Sequence, residues 1–202
     1  EYFTGGGFLL QIAAAPFRDF NFGISFSGTN FVGAGEIETQ KYPGVQINYR
    51  FIDETLYFPA VLIGINTQGR ERYLSEYESF LIMSPGFFLA VSKTFNWLLG
   101  EFSIHGGINY SIEGAPSQRI PNIYFGIEQS LGPSMSLNLE YNATTTLMDN
   151  NIMKNKGLLN LAWRISISEG LTIELQGIDL LEHIEPAHGF RRNIGMEFIK
   201  AF

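Results

Sequence analysis

The stretch Met135-Ser136-Leu137-Asn138-Leu139-Glu140-Tyr141-Asn142 alternates apolar and polar side chains at every step. A period of two is the signature of a β-strand with one greasy face and one hydrophilic face. Working outward, Leu159, Leu161, Trp163, Ile165 and Ile167 alternate with Asn160, Ala162, Arg164, Ser166 and Ser168. Phe102, Ile104, Ile108, Tyr110 and Ile112 are interleaved with Ser103, His105, Gly107, Asn109 and Ser111. Val45, Ile47, Tyr49 and Phe51 flank Gln46, Asn48 and Arg50, and Phe20, Phe22, Ile24 and Phe26 flank Asn21, Gly23 and Ser25. No segment of comparable length keeps a helical period. The best helical candidate is 70–82, where Tyr73, Tyr77, Phe80 and Leu81 would line one face of a short loop helix.

This pattern predicts about ten main strands, near 20–28, 43–52, 57–67, 85–95, 99–113, 121–131, 134–145, 157–168, 171–179 and 191–202. Most run roughly 9–13 residues, the length of a tilted membrane-crossing strand; soluble strands average about 5–6. The connections 29–42, 68–84, 114–120, 146–156 and 180–190 are long, and those between them are short. Regular alternation of long loops and short turns is the pattern of a transmembrane barrel.

Composition narrows the class. The 202 residues include 18 Phe, 22 Gly and no Cys, with 14% aromatic and only 16% charged residues. Absence of cysteine excludes disulfide scaffolds, thiolate metal sites and cysteine nucleophiles. A net charge of −7 argues against a nucleic-acid surface. No run of about 18 apolar residues offers a transmembrane helix. A soluble barrel would also alternate, but would carry more surface charge, rich in Lys and Glu.

The expectation is therefore an all-β fold: a transmembrane, antiparallel, up-and-down β-barrel of about ten strands over 20–202, with short periplasmic turns and long extracellular loops. The segment 1–19 is expected to be accessory, a plug or an extra strand, because 7–17 (GFLLQIAAAPF) is apolar on both faces. Aromatic residues Phe51, Tyr57, Phe95, Trp97 and Phe202 would form the girdle at the short-turn end. The ending Ile194, Met196, Phe198 and Phe202, interrupted by Lys200, resembles the C-terminal assembly signal of outer-membrane barrels.

With the apolar face turned to lipid, the polar face encloses Arg50, Glu101, His105, Glu128, Glu140, Arg164, Glu174, Arg191 and Glu197 as a lumen network. Such charges are expected to pair, since unpaired buried charge is costly. Glu101, Ser103 and His105 share that face at two-residue spacing. A barrel hydrolase built on Ser103 and His105 would need them in contact, whereas same-face neighbours on a strand stand roughly 6.5–7 Å apart. Gly23-Ile24-Ser25-Phe26-Ser27-Gly28 lies within a strand and lacks the glycine placement of a nucleophile elbow. His183, His188, Glu182 and Glu185 gather in the last long loop, but their spacing matches no recognised metal site. No catalytic residue, metal or cofactor is assigned.

Three segments carry a family resemblance: Pro43-Gly44-Val45-Gln46-Ile47-Asn48-Tyr49-Arg50, Pro59-Ala60-Val61-Leu62-Ile63-Gly64 and Leu89-Ala90-Val91-Ser92-Lys93-Thr94-Phe95. Together they resemble the YjbH type of outer-membrane protein, linked to exopolysaccharide production. The acidic residue often found after the glycine strand is Asn66 here. The resemblance covers roughly the first half of the chain. It implies an outer-membrane barrel with a polysaccharide connection and transfers no catalytic residues. The function expected is that of a non-enzymatic anchor or subunit of a cell-envelope assembly, in the outer membrane of a Gram-negative-type bacterium. Its partners would be outer-membrane lipid, lipopolysaccharide and other envelope proteins, with no nucleic acid. A narrow outer-membrane channel is the first alternative and the Ser103/His105 hydrolase the second.

Overall fold

The computed structural model describes residues 1–33, 35–75, 78–114, 119, 121–143, 157–184 and 190–201. Its strands are β1 (Tyr2–Phe3), β2 (Gly7–Phe17), β3 (Phe20–Thr29), β4 (Glu38–Thr39), β5 (Gly44–Ile52), β6 (Ala60–Asn66), β7 (Arg70–Leu74) and β8 (Ser79–Ile82). They continue with β9 (Gly86–Trp97), β10 (Gly100–Tyr110), β11 (Pro121–Ser130), β12 (Met135–Asn142), β13 (Leu158–Ser168), β14 (Leu171–Ile178) and β15 (Arg191–Phe198). No helix occurs among the described residues.

Alternating side chains fix the register of the wall, because a slip of one residue would turn every greasy side chain inward. Leu139 stands opposite Ile127 on β11 and Leu161 on β13, while Glu140 stands opposite Gly126 and Asn160. All ladders are antiparallel. They run from β1 through β2, β3, β5, β6 and β9 to β15, and β15 returns to β1. The result is a closed up-and-down barrel of twelve strands. The two-residue β4 lies beside β3, and β7 pairs only with β8. We call upper the end where Thr29, Gly44, Asn66, Gly86 and Asn142 lie, and lower the end of the turns at 18–19, 98–99 and 169–170.

The strand count exceeds the ten expected. Residues 7–17 contribute a wall strand, β2, which pairs with β3 from Phe8↔Gly28 to Phe17↔Phe20. Its apolar residues on both faces, with Ala13, Ala14 and Ala15 in a row, hide the period that marks the other strands. The two-residue β1 is too short to show a period at all. A second difference is 70–82, which forms the β7–β8 hairpin and no helix. Of the four residues that suggested a helical face, Tyr77 lies outside the described residues, and Tyr73 and Phe80 are register partners with rings edge to face at 5.1 Å. Apolar residues at 73 and 80 suit both geometries over so short a window, and cross-strand ring packing decides between them. The last strand ends at Phe198, four residues before the expected end.

Side-chain placement inverts that of a soluble domain. Large apolar side chains point outward on every wall strand from β2 to β15, among them Ile24, Ile47, Ile63, Phe87, Ile104, Phe125, Leu139, Trp163, Leu175 and Ile194. Buried polar residues include Ser25, Ser27, Gln40, Gln68, Asn122, Asp179 and Asn193. The buried hydrophobic side chains among the described residues are Phe3, Phe80, Met83, Leu158, Ile178 and Ile184, all at or above the upper end.

Candidate functional site: the stoppered lumen

The upper mouth is occupied by the β7–β8 hairpin and its flanks. Ser79, Phe80, Met83, Ser84, Gln68 and Glu71 are buried there. Glu113, just beyond β10, holds the hairpin in place: its Oε2 accepts the Phe80 amide at 3.1 Å and its Oε1 the Ser84 amide at 3.2 Å. Burial raises the Glu113 carboxyl above its ordinary value, while the hydrogen bonds from Ser84 and Phe80 act the other way. Gly69 allows the close approach at the hairpin base, because a Cβ there would lie 2.5 Å from the Phe80 side chain.

A buried hydroxyl and amide clasp ties this stopper to β3. The Ser25 hydroxyl donates to Gln68 Oε1 at 2.7 Å, and Gln68 Nε2 donates to Ser27 Oγ at 3.2 Å. Gln40 Oε1 accepts both the Ser27 amide and its hydroxyl, at 3.0 and 2.8 Å. Glu71 is buried beside the clasp without joining it. Its Oε1 has no hydrogen-bond partner among the described residues, and burial pushes its pKa up to about 7, against opposing pulls from Arg191 and Arg70. Glu1 adds to the upward shift.

Beneath the hairpin lies a cavity of about 290 Å³, lined by Arg70, Ile82, Met83 and Phe88 and by amides from the facing wall. Those amides form a belt. Asn122 Nδ2 donates to Asn109 Oδ1 at 2.9 Å and to Asn142 Oδ1 at 2.6 Å. Glu140 Oε1 accepts from Asn142 at 3.1 Å and from Asn160 at 3.4 Å. Asn160 Oδ1 in turn accepts the Asp179 amide at 3.1 Å. The belt crosses four adjacent strands at one level of the barrel, so it braces the wall as well as lining the cavity.

The lumen charges expected from the sequence divide between ion pairs, uncharged neighbours and solvent-exposed positions. Arg164 and Glu174 are register partners and form an ion pair at 3.4 Å. Arg50 pairs with Asp19 at 2.7 Å and Asp53 at 3.0 Å, both in lower turns. Glu128 accepts the Ser136 hydroxyl at 2.7 Å. Glu101 and Glu197 are exposed near the lower end. Arg191 is half-buried near Glu71, and its Nε has no partner among the described residues.

The Ser103/His105 pairing is not made. Ser103 Oγ lies 3.0 Å from Thr94 Oγ1, and His105 Nε2 lies 3.4 Å from Asn138 Nδ2. Each is engaged by a different neighbour, so no base stands at the Ser103 hydroxyl. Of the last-loop residues, His188 and Glu185 lie outside the described residues. His183 Nδ1 contacts the Gly157 carbonyl at 2.8 Å, and no metal-ligating group of three occurs among the described residues. The girdle residues Phe51, Tyr57, Phe95 and Trp97 are exposed on the outside, as are Ile194, Met196 and Phe198; Phe202 lies outside the described residues.

No protein-family model matches the chain, and no curated protein matches it.

Sequence reasoning missed the hairpin stopper, Glu113, Glu71 and the amide belt. The belt was partly visible: Asn109, Asn122, Asn138, Asn142 and Asn160 recur on the polar phase of successive strands. Which of them meet depends on register, which the alternation alone does not number.

Proposed function

We propose that this chain is a β-barrel of the outer membrane of a Gram-negative-type bacterium, acting as a non-enzymatic anchor or subunit of a cell-envelope assembly. The observation that carries the reading is the inverted wall. Leu, Ile, Phe and Trp side chains cover the outside while Asn, Gln, Ser and Glu fill the inside. In water each such outward side chain, about half exposed, would forgo about 1 kcal/mol of burial. In acyl chains the same side chains are at home, and a closed ladder leaves few backbone groups unpaired. Exposed Phe51, Tyr57, Phe95 and Trp97 suit the headgroup level at the lower rim.

The stoppered mouth favours anchorage over free diffusion. Loops at the upper end then present the binding surface, and the YjbH-type resemblance points to an assembly handling exported polysaccharide or surface filaments. The test is reconstitution. The refolded chain should float with phospholipid vesicles and migrate faster on a gel before boiling than after. It should give no steady conductance in a planar bilayer. A chain that stays in solution without detergent refutes the membrane assignment.

The cavity of about 290 Å³ under the hairpin favours a second reading, a narrow channel gated by the stopper. Discrete conductance steps from the unaltered protein would replace the anchor reading with this one.

A further inference from the structure

Two aromatic rings lie along the inner wall beneath the hairpin. Phe88 on β9 stands opposite Gly64, and Tyr124 on β11 stands opposite Gly107. Neither glycine carries a side chain to hold its partner off. A Cβ at Gly64 would lie 2.6 Å from the tip of the Phe88 ring, and one at Gly107 would lie 2.6 Å from the Tyr124 hydroxyl oxygen. Each ring therefore folds across the neighbouring strand, with one side against the wall. Both also line the cavity of about 290 Å³, which meets their other side. Only β10 separates β9 from β11. At about 4.8 Å per strand the two rings stand roughly 10 Å apart, side by side, as a platform and not as the jaws of a clamp.

Polar groups surround this platform. Six carboxamides line the cavity: Asn66, Gln68, Asn109, Asn122, Asn142 and Asn160. A carboxamide has two donor hydrogens and two acceptor positions. Asn142 accepts one bond, from Asn122, and donates one, to Glu140. Asn109 likewise accepts one from Asn122 and donates one to the Pro85 carbonyl. Among the described residues each of these two keeps one donor and one acceptor position for the cavity. Glu140 receives both its belt bonds on Oε1, and its Oε2 accepts none among the described residues. The charged side chains of the lining are Arg70 on the hairpin and Glu140 on the wall, one of each sign.

A ligand suited to this lining is neutral, because the two charges cancel. It carries several groups that both donate and accept, because carboxamides do both. It also has an apolar flank to lie on a ring face. Hydroxyl groups on a saturated ring meet all three demands. We propose that the cavity is a saccharide-binding site, in which a sugar lies on Phe88 and Tyr124 and sets its hydroxyls among the amides of the belt. Small-molecule sites start at about 300 Å³, so the space suits one sugar unit. A nucleoside is the nearest rival, but a flat base is held best between two faces, and these rings stand side by side. The site needs only the closed barrel, whose inner face is polar whether the outer face meets lipid or water, so it stands or falls apart from the membrane reading. Since Arg70, Ile82 and Met83 come from the hairpin and the amides from the wall, a bound sugar bridges the two and favours the docked hairpin.

The test uses the full chain in a zwitterionic detergent, which has no sugar headgroup. D-glucose, D-galactose and N-acetyl-D-glucosamine are titrated separately, with glycerol as the control for solvent effects and adenosine as the rival ligand. At least one sugar should bind saturably with Kd of about 1 mM or tighter. It should move the side-chain amide resonances of Asn109 and Asn142 and leave those of Asn21 and Asn48, lower in the lumen, unchanged. At about ten times its Kd it should slow protease cleavage of the hairpin about tenfold. Phe88→Leu keeps an apolar side chain without a ring face and should weaken the sugar tenfold or more; Tyr124→Leu should do the same. The proposal is overturned by no response to any of the three sugars up to roughly 100 mM, or by a response that glycerol reproduces. Adenosine binding more tightly than every sugar would overturn it as well, as would a folded Phe88→Leu that binds as the parent does. Failure here leaves vesicle flotation, and with it the membrane reading, untouched.

Discussion

The two ends of the barrel are built on different physics. At the upper end a hairpin, a carboxylate latch, an amide belt and the buried apolar side chains found among the described residues close the mouth. At the lower end the interactions are ion pairs between partly exposed side chains: Arg18 with Asp53 at 3.4 Å, Arg50 with Asp19 at 2.7 Å and Lys93 with Glu54 at 3.0 Å. Buried hydrogen bonds are expensive to leave unmade, whereas exposed ion pairs contribute little. The wall supplies the frame at both ends, but what fills it is strongly held only above. Function that depends on opening or closing the lumen is therefore set at the upper end.

The sharpest way to break this contrast is Glu113→Ala. Two buried amides, Phe80 and Ser84, lose their acceptor at once. Hydrogen bonds to a charged group are worth about 1.5–3 kcal/mol each, so hairpin docking should weaken by about 4 kcal/mol. Planar-bilayer recording should then show conductance steps absent from the parent protein, and Glu113→Gln should fall between the two.

Acidity offers a graded version of the same experiment. Glu71 titrates near 7 when docked, against 4.5 for a free glutamate, because burial disfavours its charge. The docked state therefore binds more protons than the released state between those values. Its contribution is complete below about pH 4.5 and is lost as pH rises through about 7, a swing on the order of 3 kcal/mol. Cleavage of the hairpin by a protease active across that range should accelerate with rising pH. Glu71→Gln should flatten most of the dependence and keep the hairpin docked at neutral pH, leaving the smaller part that the raised Glu113 carboxyl contributes.

Wall strands were legible in the sequence because each carries its own period and needs no knowledge of its neighbours. The lower aromatic residues and the outward direction of Leu139 and Trp163 follow from the same phase. β2 escaped because alanines at 13–15 and apolar residues on both faces erase the alternation. The stopper escaped for a different reason. Glu113 and Phe80 are 33 positions apart, and the β9–β10 pairing, with Gly86 opposite Tyr110, brings their segments together. Charges on the polar phase of the strands were legible as inward-facing, but their partners were not. His105 meets Asn138 and Glu128 meets Ser136 because register sets the neighbours.

Asp179 tests whether the upper end is a single unit or several. It is buried, adopts a left-handed φ of 57°, and accepts the His183 and Ile184 amides at 2.9 and 2.8 Å. Its own amide donates to Asn160, which joins this loop to the amide belt. Asp179→Ala should cost about 2 kcal/mol in urea unfolding, through the two buried loop amides left without an acceptor and the strained backbone. If the belt and the stopper are coupled, the loss in Asp179→Ala/Glu113→Ala should differ from the sum of the single losses by more than about 0.5 kcal/mol.

The smallest effect is expected at Arg164→Ala. Its ion pair with Glu174 spans adjacent strands at 3.4 Å, with the guanidinium side chain 48% exposed and the carboxylate side 22% exposed. Solvent screens such a pair, so removal should change unfolding stability by less than about 1 kcal/mol and leave hairpin proteolysis unchanged. A larger loss would mean that the lower lumen is drier than the structure makes it, and that the division between a tightly filled upper end and a loosely filled lower one is drawn in the wrong place. An equal loss in Arg164→Met, which keeps most of the stem but not the charge, would trace that excess to electrostatics and not to packing.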